Sequence, residues 1–172
     1  MMMKMLEAGG LAPVIDGIRS ADEDNPKGYY ELEAVKRTKQ DPSWITDARG
    51  KVVKVISQLL QDLPADEHYK VVFMRRNLDE VLASQQKMLV RRDEEDKSTD
   101  GDMKEMFASH VEEVEGWMRA ADHVDVLFVS YNRMQSDSDK QIARVCKFMD
   151  ANLDSDKMAT IIDPALYRQR KS

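Results

Sequence analysis

Three short apolar runs rich in valine limit what this chain can fold into. They are "KVVKVI" (51–56), "YKVVFM" (69–74) and "VDVLFVSY" (124–131). The second and third are nearly continuous rather than alternating, the pattern of strands covered on both faces. Each run precedes a helical pattern. After the second, Leu78, Val81, Leu82 and Leu89 share one face. Over 102–121 a single stripe carries Met103, Met106, Phe107, His110, Val111, Val114, Trp117, Met118 and Ala121. After the third, Ser136 and Asp139 read as a capping-box pair ahead of Ile142, Val145, Cys146 and Met149. Strand–helix alternation predicts an α/β domain with a parallel sheet and right-handed crossovers. In such sheets ligands sit at the C-terminal ends of the strands.

The remaining segments are shorter. Residues 2–9 predict a helix closed by Gly9-Gly10. Residues 11–28 are loop-like, with Pro, Gly and clustered acids. A helix is expected over 29–38, ended near Asp41-Pro42, and 91–102 reads as a charged surface linker. A length of 172 residues predicts one domain, 1–172, large enough to bury a core. No apolar run is long enough to span a membrane, and the start lacks a basic region and a small-residue cleavage site. One cysteine, Cys146, precludes an internal disulfide and fits a reducing, cytoplasmic setting. It lies on an apolar helix face and reads as a small hydrophobe. No His/Cys pair has zinc spacing, so no metal is expected. A net charge of −6 argues against general nucleic-acid binding but leaves a local anion site open.

Such a site is written into "KVVFMRRNLDEVLAS" (70–84). A buried strand ends in Arg75 and Arg76. Asn77 then reads as a helix N-cap with Glu80 as its box partner. Two cations, free backbone N–H groups and a helix dipole converge at one strand end. Ser84 lies nearly two turns after Asn77, on roughly the same face, and can add a hydroxyl donor. The pattern fits two readings equally: an anion site, or an arginine paired with an acid and Ser84 packed on the sheet.

"RRNLDEVLAS" resembles the 3′-phosphate-binding motif of sulfotransferases that use 3′-phosphoadenosine 5′-phosphosulfate. Arg76, Asn77, Asp79 and Ser84 fit its spacing. "GKVVKVISQLLQDLP" (50–64) resembles the family strand that enters the active site, with Lys54 at the usual place of a lysine near the transferring sulfuryl group. "VLFVSYNRM" (126–134) resembles the strand before the last helix. "NPKGYYELEAVK" (25–36) and "DPALYRQR" (163–170) resemble segments of a bacterial subgroup. The resemblance implies a three-layer, P-loop-NTPase-like fold. It implies that Arg76 and Ser84, with Arg75 beside them, hold the nucleotide, that Tyr131 lies near the adenine, and that Lys54 steadies the transferring group. It also implies a small-molecule acceptor with a hydroxyl or amine.

Two departures from the family pattern stand out. The family opens with a strand and a Pro-Lys/Arg-Ser-Gly-type phosphate loop. "MMMKMLEAGG" looks like the helix just after that loop, so the chain is expected to be N-terminally incomplete, its first strand missing. Many members also carry a His two residues after the strand lysine, where this chain has Ile56. Asp16, Asp22 or Glu23 could serve as base, although a solvated loop is the simpler reading of each. His110 reads as a core or edge histidine, His68 and His123 as loop residues. Two functions therefore compete: a sulfotransferase, or a non-catalytic nucleotide-binding remnant of its fold. A kinase-like P-loop protein is disfavoured, because no Gly-x-x-x-x-Gly-Lys-Ser/Thr run occurs.

Overall fold

The computed structural model describes residues 1–18, 28–82 and 100–162. Helix α1 covers Met2–Ala8 and α2 covers Trp44–Ala48, with a 3-10 turn at Glu33–Arg37 between them. A second 3-10 turn, Ser57–Asp62, leads to strand β1, Tyr69–Arg75. Residues 78–82 open helix α3. Then follow α4 (Asp100–Ala120), β2 (Val124–Ser130), α5 (Tyr131–Ser136), α6 (Ser138–Met149) and α7 (Ser155–Ala159). Among the described residues, no helix is long and apolar enough to cross a membrane.

Strands β1 and β2 pair in parallel, from Tyr69 opposite Val124 to Arg75 opposite Ser130. Their side chains alternate between faces, and each face is covered. On one, Val72, Met74, Leu127 and Val129 pack with Met5, Met134, Val145 and Met158 from α1, α5, α6 and α7. On the other, Val71, Phe73, Val126 and Phe128 pack with Ile45, Leu60, Val114 and Met118 from α2, the second 3-10 turn and α4. Helices on both faces explain why both strands are apolar along their length rather than at alternate positions.

Four expectations are corrected. The run 51–56 is not a regular strand among the described residues. It lies extended and makes one parallel bridge, Val52 to Pro13, with Val52 N–H donating to Ala12 O at 3.0 Å and Val14 N–H to Val52 O at 2.9 Å. The helix expected over 29–38 shrinks to the turn Glu33–Arg37, because Tyr30 has a φ of 53°, off the right-handed helical path. The third strand stops at Ser130, and Tyr131 already belongs to α5. The Ser136–Asp139 box does not form. Asp137 takes the N-cap position of α6 without a side-chain cap bond, while Ser130 caps α5 by accepting from Arg133 N–H at 3.3 Å. Of the linker 91–102, residues 91–99 lie outside the described residues, and α4 begins within its last three.

Candidate functional site

The strand register builds the site. Arg75 and Ser130 are the last paired residues, so Arg76 and Tyr131 leave the sheet side by side. The Arg76 guanidinium carbon lies 4.5 Å from the centre of the Tyr131 ring, within the range of a cation–π contact. Asn77 caps the helix that follows, its Oδ1 accepting from Asp79 N–H at 2.9 Å. The Glu80 side chain turns inward and is buried. Its Oε1 accepts from Asn132 Nδ2 at 3.2 Å, which ties α3 to α5.

Arg75 is placed differently. It forks onto the Glu115 carboxylate of α4 through Nε and Nη2, and its guanidinium carbon lies 4.2 Å from the Phe128 ring centre. Arg119 approaches the same carboxylate at 3.0 Å and the same ring at 4.8 Å. Hydrogen bonding by Arg75, assisted by its charge and by Arg119, holds the Glu115 carboxyl below the usual carboxylate range despite burial.

Between β1 and the extended 51–55 segment lies a cleft of about 1460 Å3. Lys54, Arg75, Arg76 and Tyr131 all line it, whereas Asn77 and Asp79 do not. Ser84 lies outside the described residues, as do Asp22, Glu23 and 163–170. The Lys54 ammonium donates to Glu31 Oε1 at 3.0 Å and to Tyr29 O at 3.2 Å, with the Tyr29 ring centre 5.9 Å away. Asp16 is not part of the cleft lining. It organises its own loop, accepting from Glu33 N–H at 2.5 Å and Ile18 N–H at 2.9 Å, and these bonds lower its pKa.

One pair escapes any reading of the sequence. Ser57 Oγ and His110 Nε2 stand 2.9 Å apart, and both line the cleft. His110 shares the apolar stripe of α4, so it resembles a core residue in sequence. Its partner is 53 positions away. The single local signal was Ser57 itself, three residues after Lys54. Among the described residues, no group of three His, Cys, Asp or Glu side chains is arranged to hold a metal ion.

Parallel strands with helices on both faces define an α/β protein, and Lys54, Arg75 and Arg76 line its cleft. The family model of the sulfotransferase domain matches residues 48–172, and the chain belongs to that family. No curated protein and no solved structure matches it. The sulfotransferase domain gives the protein transferase character and a P-loop-like fold.

Proposed function

We propose that the protein transfers a sulfuryl group from 3′-phosphoadenosine 5′-phosphosulfate to a hydroxyl or amine of a small molecule, on a three-layer P-loop-NTPase-like scaffold in the cytoplasm. The observation that carries this reading is the Arg76–Tyr131 pair at adjacent strand ends, on a cleft that Lys54 also lines. A guanidinium beside an aromatic face suits a nucleotide, which offers both a phosphate and a planar base. Arg76 and Ser84 are assigned to the 3′-phosphate, Tyr131 to the adenine, and Lys54 to the charge that develops on the transferring group. Arg75, engaged with Glu115, supports Arg76 by fixing the strand end. Calorimetry with 3′-phosphoadenosine 5′-phosphate tests the assignment. Arg76→Ala should weaken binding by about 1.5–3 kcal/mol, the worth of a charged hydrogen bond. Equal affinity in both proteins removes Arg76 from the site.

One observation favours binding without turnover. Lys54 is held by Glu31 and Tyr29, which compete with any sulfuryl group for its ammonium. Radiolabelled sulfuryl transfer to alcohols, phenols and amines separates the two readings. A protein that binds nucleotide but turns over none of them is a binding module.

A further inference from the structure

We infer that Gln135 selects the base of the bound nucleotide: its amide pairs with the amine and N7 of adenine and turns away purines that carry a carbonyl in place of the amine. This rests on the nucleotide reading above and names the residue that gives that site its base specificity.

Gln135 holds an amide with unspent hydrogen-bonding capacity. It lies on α5 and lines the cleft. Its Oε1 is buried and accepts from no group among the described residues. Its Nε2 donates to Met1 Sδ at 3.4 Å, and a thioether is a weak acceptor. The polar side chains nearby in sequence are spent within the fold. Asn132 Nδ2 donates to Glu80 Oε1 at 3.2 Å, and Ser130 Oγ accepts from Arg133 N–H at 3.3 Å. A buried carbonyl oxygen without a donor carries an uncompensated desolvation cost. A ligand that brings a donor to it removes that cost, and a ligand that brings an acceptor does not. Such a group discriminates between ligands more sharply than an apolar wall does.

Position decides which part of the ligand meets the amide. Tyr131 and Gln135 are four residues apart in one helix, so they share a face and lie about 6 Å apart along its axis. Both line the cleft. The Arg76 guanidinium carbon lies 4.5 Å from the Tyr131 ring centre. The cleft wall thus carries a guanidinium against an aromatic ring and, one helical turn along from that ring, an amide. With the phosphate on Arg76 and the base near Tyr131, the amide meets the edge of the base. Adenine presents its N6 amine, a donor, beside N7, an acceptor. A glutamine amide answers this pair with Oε1 and Nε2, one bond each. Guanine and hypoxanthine present a carbonyl oxygen beside N7, two acceptors, so Oε1 stays unpaired against them. Toward adenine, N7 replaces the Met1 sulfur as the partner of Nε2. A stronger acceptor takes the place of a weaker one, and the unbranched Met1 side chain repacks.

The test is calorimetry on the whole chain with the 3′,5′-bisphosphates of adenosine, inosine and guanosine. Wild type should bind the adenosine compound about tenfold or more tighter than the other two. Gln135→Met keeps the bulk of the side chain but cannot accept from the amine. It should weaken the adenosine compound about tenfold and leave the inosine compound within about twofold, so that the preference collapses. Gln135→Leu, of different shape, should do the same, and circular dichroism melts confirm that each variant folds. Wild type that binds the adenosine and inosine compounds equally overturns the inference. So does a preference for adenosine that both variants keep. An equal loss of all three compounds in both variants overturns it too, because that pattern reports packing and not base reading. Failure of wild type to bind any of the three overturns the nucleotide reading itself, whereas binding without preference removes Gln135 alone.

Discussion

Glu115 separates the roles of two adjacent arginines. It is 9% exposed and engages Arg75 and Arg119 at once, so its charge is never left alone in the core. Arg76, without that carboxylate, turns to Tyr131 on the cleft. Glu115→Gln removes the charge but keeps the shape. It leaves two guanidinium groups crowded over Phe128, and the expected loss is about 1–3 kcal/mol by urea unfolding at neutral pH. The pH dependence has a definite sign. The folded-state carboxyl is held below its unfolded value, so the unfolded chain takes up this proton first as pH falls. The stabilisation is complete above the ordinary glutamate pKa of about 4.3. It fades as pH drops from there toward the lowered folded value. The gap between wild type and Glu115→Gln should therefore close on acidification, and a gap of constant size would show that the ion pair is not its source.

Helix α1 shows how one element's ending fixes its packing. Leu11 N–H donates to Leu6 O at 2.9 Å and Gly10 N–H to Glu7 O at 3.0 Å, the two bonds of a Schellman stop, with Gly10 at φ 110°. Gly9 comes so close to α7 that an added Cβ would sit 2.9 Å from Met158 Cγ, and Met158 is fully buried. Gly10→Ala meets no atom and should cost about 1–2 kcal/mol from its backbone alone. Gly9→Ala gains at most about 1 kcal/mol of helix preference. Against this stands overpacking of about 1–3 kcal/mol, so it too should lower the melting temperature, and a rise would show that Met158 gives way. The Gly-Gly stop was legible because a backbone conformation dictates its residue type. So were β1, β2, α4 and the Asn77 cap, where local pattern and final environment agree. The run 51–56 was misread because valine content signals an extended chain, whereas a strand also needs a paired neighbour, and among the described residues only Val52 has one, through Pro13. The partners of Arg75 and Ser57 lie 40 and 53 residues away, and no spacing rule reaches that far.

At the scale of the molecule, two cores among the described residues lie on opposite faces of the β1–β2 sheet, and the cleft is bordered by side chains from both. Met74 and Val52 belong with the α1–α6–α7 side, whereas Val55 and Phe73 belong with the α2–α4 side. A ligand seated in the cleft therefore touches both halves and stabilises their common folded state. A ligand at about one hundred times its dissociation constant adds about 2.7 kcal/mol. In a chain of this size each kcal/mol raises the melting temperature by about 2–4 °C. Saturating 3′-phosphoadenosine 5′-phosphate should thus raise it by about 5–11 °C in a single cooperative transition. Arg76 is exposed and Lys54 half-buried, so the phosphate contacts proposed for them are open to screening. Raising salt toward 1 M, where the Debye length is about 3 Å, should shrink the shift severalfold. Adenosine, which carries the base but no phosphate, should produce little shift at any salt. Differential scanning calorimetry reads all three conditions. A shift of the same size with adenosine, or one indifferent to salt, would mean that the cleft recognises the base alone and that the strand-end cations do not bind the phosphates.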